Sequence, residues 1–206
     1  MLGTSLLPTG RHSTEFIAAG VRRFHGRQWP DEPLYVVAVR RRDGQRVVFG
    51  RDGAPRTDLA HAVAASCAIP GFFHPVEIDG DYYVDGGVHS PTNADVLRGR
   101  QLDLVIASAP MSVATGRHLR PTLDVVPRLH AHRYLRRELA ALRRSGAATV
   151  AFEPGAELLS VMGVNPLRGA RIDEIEQMSY EQACAHLDAA PDITALFGPA
   201  AATAAG

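Results

Sequence analysis

Residues 65–87 constrain this chain more than any other stretch. They read Ala-Ser-Cys-Ala-Ile-Pro-Gly-Phe-Phe-His-Pro-Val-Glu-Ile-Asp-Gly-Asp-Tyr-Tyr-Val-Asp-Gly-Gly. Two short β runs, at 76–78 and 82–84, flank Asp79-Gly80, a pair that favours a tight hairpin turn. The second run ends directly in Asp85-Gly86-Gly87. A carboxylate at a strand end followed by two glycines lies where the backbone can turn sharply and a neighbour can come close, because glycine has no Cβ and admits positive φ. Such a position can hold a catalytic aspartate rigidly. The plain alternative is a surface turn, since Asp-Gly is a common turn pair.

The flanking sequence alternates between strand and helix patterns. Ser13 or Thr14 can cap a helix through about Phe24, with Ile17, Val21 and Phe24 on one face. Residues 34–39 and 47–49 are β runs joined across Asp43-Gly44, a second hairpin signal. Asp58 caps an Ala-rich helix over 59–66 that stops before Pro70-Gly71. Residues 102–107 read as a buried, parallel strand. A long helix follows over 121–145, with Val126, Leu129, Leu135, Leu139 and Leu142 as its apolar stripe. Residues 149–152 form a last strand and 173–189 an acidic amphipathic helix. The Ala-rich end beyond Gly198 reads as a disordered tail. No internal repeat is present. Alternation of this kind predicts a layered α/β fold.

Composition narrows the function classes. The 206 residues, 46% hydrophobic, suffice for one good core. Basic and acidic side chains balance at 22 each, so bulk charge favours no nucleic-acid partner. All basic residues are Arg, a pattern best read as coding bias. Two cysteines, Cys67 and Cys184, define neither a disulfide framework nor a metal spacing. The N-terminus shows no secretory pattern, and no apolar run approaches the ~20 residues of a membrane span. A cytoplasmic location is expected, with contact at a membrane surface.

The ordered combination of the 35-strand, the helix end Ala-Ser-Cys-Ala-Ile-Pro-Gly, the hairpin, Asp85-Gly86-Gly87, and Ser90-Pro91-Thr92-Asn93 resembles the Asp-Gly-Gly half of the patatin-like phospholipases. It spans roughly residues 30–110. The resemblance implies an α/β fold with a three-layer α/β/α sheet and a Ser–Asp dyad acting on a lipid or acyl-ester substrate, with no cofactor and no metal. Asp85 matches the dyad aspartate, supported by Gly86 and Gly87. Partial burial should raise its pKa and fit it to accept a proton from a serine hydroxyl.

The same family requires a Gly-rich oxyanion loop and a Gly-x-Ser-x-Gly elbow. Neither occurs in the 206 residues. The nearest fragment is Gly3-Thr4-Ser5, but Leu6 and Leu7 stand where small residues belong, so no nucleophile is assigned. Residues 1–198 therefore read as a partial hydrolase domain whose sheet is incomplete on its amino-terminal side, with 199–206 as the tail. An unpaired edge on the 34–39 or 102–107 strand is expected, to be completed by an upstream segment or by self-association.

Other chemistry is weaker. Nine histidines are scattered as exposed or capping residues; His130 and His132, two apart on a helix, face different ways. Ser66 follows no elbow and reads as structural. On the 121–145 helix, Arg128, Arg133, Arg136, Arg137, Arg143 and Arg144 could meet anionic headgroups, but a solvated face is the simpler account. Two functions follow: the carboxylate half of a lipid hydrolase, inactive alone, or a non-catalytic lipid-binding or protein-interaction remnant of the same fold.

Overall fold

Asp-Gly turns and short apolar runs build the first sheet. The computed structural model describes residues 8–114, 125–163 and 171–191, and its fold is mixed α/β. The chain divides into two compact units, 1–93 and 94–206, and the strands fall into two sheets.

In the first unit, α1 (Glu15–His25) precedes β1 (Val36–Arg40) and β2 (Arg46–Phe49); α2 (Leu59–Ser66), β3 (Val76–Ile78) and β4 (Asp81–Asp85) follow. The sheet order is β2-β1-β4-β3, antiparallel throughout. At the β3–β4 turn Asp79 (φ 52°) and Gly80 (φ 78°) are both left-handed, as a type I′ turn demands. That turn pins Ile78 opposite Asp81. Asp58 caps α2, its carboxylate accepting from the His61 amide at 2.8 Å. The core joins Ala38, Phe49, Leu59, Ala65, Ile78 and Tyr83, with Phe49 and Tyr83 edge to face at 5.2 Å. Small side chains set the distance between the helices: Ala18 of α1 meets Ala60 and Ala64 of α2.

Two corrections arise here. Of the two strands on which an unpaired edge was expected, the 34–39 strand has none, because β1 pairs with β2 on one side and β4 on the other. Phe24 is 80% exposed and does not join Ile17 and Val21, which are half-buried.

The second unit opens with a 3₁₀ turn, Ala94–Leu97. Then come β5 (Leu104–Ser108), α3 (Val125–Arg144), β6 (Ala148–Phe152), α4 (Ala156–Met162) and α5 (Ile172–Asp188). Strands β5 and β6 are parallel, with α3 in the connection between them, and they pack Val105 and Ala107 with Leu135, Leu139 and Leu142. The parallel strand is thus present, but it is not buried on both faces: Ile106 is 51% exposed. The α3 stripe also differs. Val126 lies 65% exposed, whereas Arg128 and Glu138 are buried. Arg128 is a structural donor, giving hydrogen bonds to the carbonyls of Pro110 (2.7 Å) and Ser112 (3.3 Å), so it leaves the set of headgroup-contact arginines. Glu138 accepts from the Ala94 amide at 2.8 Å. Residues 121–124 and the tail after Gly198 lie outside the described residues.

Removing the α2 cap isolates one of these contributions. Asp58→Ala leaves the His61 amide without its acceptor, and a helix cap of this kind contributes about 1 kcal/mol. Urea denaturation should show the unfolding free energy lower by that amount, as a lower midpoint with an unchanged slope.

Candidate active site

Asp85 ends β4 opposite Ala38 of the neighbouring β1. Its amide donates to the Ala68 carbonyl at 3.0 Å, tying the strand end to the loop that follows α2. Its own carboxylate turns back along the chain: Oδ1 accepts from the Gly87 amide at 2.6 Å, capping the single 3₁₀ turn Gly86–Val88. The side chain therefore has one fixed acceptor geometry, and among the described residues no cation pairs with it.

Each glycine has a separate reason. Neither has positive φ. Of the two expected reasons for glycine, positive φ is not used and close approach is. A Cβ on Gly86 would lie 2.9 Å from the Val37 carbonyl carbon and nearer still to its oxygen, so only glycine lets this backbone lie on β1. A Cβ on Gly87 would lie 2.9 Å from Asp85 Oδ1 itself. Gly87 thus makes room for the carboxylate that its own amide holds.

Burial pushes the Asp85 carboxyl above the usual carboxylate range, and the Gly87 amide bond partly opposes that rise. Burial also raises the Cys67 thiol, with the Asp85 charge adding to it, which marks Cys67 as an electrostatic neighbour of the carboxylate.

A polar network behind the turn was not legible as such in the sequence. Asn93 is buried in a left-handed conformation (φ 53°). Its Nδ2 donates to the carbonyls of Gly86 (3.1 Å) and Ser90 (2.5 Å). Its Oδ1 accepts from Arg46 Nη1 at 3.2 Å. Ser90, buried, accepts on Oγ from the amides of Thr92 (3.3 Å) and Asn93 (3.2 Å). The Ser-Pro-Thr-Asn stretch was visible as turn chemistry; its reach back to Gly86 was not.

On the other side, residues 8–12 run along the loop that follows Ala68. The Gly10 amide donates to Phe73 O at 3.1 Å, and the Gly71 amide to Pro8 O at 2.8 Å. His12 stacks on Phe72 at 4.7 Å.

The residue pattern and this geometry agree with comparison at the family level. The profile of the patatin-like phospholipases matches residues 7–98. Those residues belong to the patatin-like phospholipase family. The match takes in α1 as well as the hairpin and the Asp-Gly-Gly turn, so it begins earlier than the resemblance from residue 30 and stops before β5. Lipid hydrolysis is the activity that this family supports.

The remaining candidates disperse. Ser5 lies outside the described residues, and Ser66 is the half-buried last residue of α2. His132 is neither exposed nor a cap: its Nδ1 lies 2.7 Å from Glu153 Oε1, on which the buried Ser112 hydroxyl also converges. His130 instead stacks on Tyr134 at 4.8 Å. Among the described residues, no group of three or more His, Cys, Asp or Glu could hold a metal, and no helix is long and apolar enough to cross a membrane.

The raised Asp85 carboxyl makes a signed prediction. A group that binds its proton more tightly in the folded state costs stability as pH rises from its unfolded pKa through its folded one. Asp85→Asn keeps the acceptor for Gly87 and removes the desolvated charge. The variant should melt higher than the wild type at pH 7, and the gap should close as pH falls below the carboxylate range. Thermal melts across pH 3–8 measure it; an equal or lower Tm at pH 7 contradicts the desolvation account.

Proposed function

We propose that this chain supplies the carboxylate half of a Ser–Asp dyad in a lipid acyl-ester hydrolase, with Asp85 as the general base. One observation carries the reading: a half-buried carboxylate, raised by burial, is fixed at a strand end by a single backbone amide inside the family-matched segment. In the reaction Asp85 takes the proton of a serine hydroxyl as that oxygen attacks the ester carbonyl, then returns it to the leaving alcohol. A base whose pKa is raised toward the working pH suits that exchange better than an ordinary surface carboxylate.

The nucleophile and the oxyanion donors are not supplied by the Asp-Gly-Gly unit. Because the 206 residues hold no Gly-x-Ser-x-Gly, the polypeptide by itself is proposed to be inactive. A segment or partner bearing that elbow would complete the site. The pairing of residues 8–12 with the loop after Ala68 supports entry from that side, since it brings the chain next to the loop that anchors Asp85.

Two measurements test this. Fluorophosphonate probes should leave the 206-residue chain unlabelled, and stoichiometric labelling of any serine would overturn the assignment. With an elbow-bearing segment supplied, Asp85→Asn should lower kcat on a p-nitrophenyl ester by about 10²–10⁴-fold, the usual worth of a positioned base. Unchanged turnover would remove Asp85 from the chemistry and favour a lipid-binding remnant.

A further inference from the structure

The catalytic reading of Asp85 leaves unexplained why so much polar structure is buried behind it. Asn93 is 7% exposed and pays for a left-handed backbone, and both ends of its amide are engaged. The decisive detail is which peptide it grips. Asn93 Nδ2 donates to the Gly86 carbonyl, and the amide of the same peptide unit, Gly87 N–H, donates to Asp85 Oδ1. A hydrogen bond accepted by a peptide carbonyl polarises that peptide and strengthens its N–H as a donor. The Arg46 guanidinium at the far end of Asn93 polarises the side-chain amide in the same direction.

We infer that Asn93, backed by Arg46, is a positioning residue for Asp85: it acts through the Gly86–Gly87 peptide to hold the carboxylate and to set its basicity. The proposal rests on the reading of Asp85 as a base for its functional meaning, but the relay itself is a physical claim about the folded chain. The amides of His89 (3.0 Å) and Ser90 (3.3 Å) also donate to the Gly86 carbonyl, so its orientation does not depend on Asn93 alone. Asn93 adds the donor that connects this carbonyl to a cation. A Cβ on either glycine would come within 3 Å of a neighbouring atom, so among the described residues Asn93 is the side chain that reaches the carbonyl of this peptide.

The test uses the 206-residue chain and needs no catalysis. Asn93→Gly removes the amide and remains comfortable at positive φ. Arg46→Met keeps the aliphatic stem and removes the charge, leaving Asn93 in place. Leu59→Ala serves as a control, since it weakens the core of the same unit without touching the relay. Asp85 is followed by its side-chain carboxyl ¹³C shift against pH, and Gly87 by amide hydrogen exchange. In Asn93→Gly the Asp85 titration should move upward, because the donor that stabilises its charged form is weakened. Gly87 exchange should speed up by about five- to tenfold, the worth of much of one ordinary hydrogen bond. Arg46→Met should shift both in the same direction by less, and Leu59→Ala should leave the Asp85 midpoint in place. An Asp85 titration unmoved in folded Asn93→Gly, or unmoved in Arg46→Met if the first variant does not fold, overturns the relay. Because neither readout involves turnover, a failed relay is distinguishable from a failed assignment of Asp85 as base: the titration can move while turnover ignores Asp85, and the reverse.

Discussion

The contact of the Gly86 backbone with the Val37 carbonyl is the constraint on which the site depends. It forces glycine at residue 86, lays the chain after β4 directly on β1, and fixes the direction in which Asp85 leaves the sheet. The Asp85 amide is held from the other side by Ala68. A side chain on Gly86 would have to push two paired strands apart, which couples the position of the carboxylate to the stability of the sheet. The geometry of the carboxylate is then set by backbone, the least adjustable part of the molecule, which is the rigidity that the proposed role as a base calls for.

Electrostatics complement that rigidity. Burial raises the Asp85 carboxyl, and the Gly87 amide restrains the rise. Each further donor to a buried carboxylate would lower its pKa, and with none burial would act unopposed. The single Gly87 amide places Asp85 between those two cases. The neighbouring Cys67 thiol is raised as well, so it adds no negative charge to the pocket of charge around Asp85.

The second unit works on a different principle. Its α3 buries two charged side chains, Arg128 and Glu138, by giving each a backbone partner at the end of a loop. Glu153 gathers His132 and Ser112 on one carboxylate oxygen, while Gln182 of α5 bonds the Glu153 carbonyl at 2.6 Å. Loops and helices are held here by directional polar contacts where the apolar stripe is thin. A helix whose stripe is read only from aliphatic residues is therefore rotated relative to the real one, which is why Val126 was expected inside and Arg128 outside.

Local chemistry determined a good deal. The Asp43-Gly44 and Asp79-Gly80 turns, the Asp58 cap, the alternating strands and the Asp85-Gly86-Gly87 strand end are each written in a few adjacent residues, and each reappears in the fold. The family resemblance was legible for the same reason, since its motifs are short and ordered along the chain. Tertiary structure decided the rest. Sheet order made β1 a central strand and so removed one of the two candidates for an open edge. Of the two uses of glycine that the sequence left open, the fold chose close packing over positive φ. The reach of Arg46 to Asn93 crosses 47 residues, and no periodicity or turn signal encodes a hydrogen bond over such a separation. Local propensities specify turns and caps because their partners lie within a few residues; which buried polar group meets which depends on how the strands are stacked, and only the folded chain settles that.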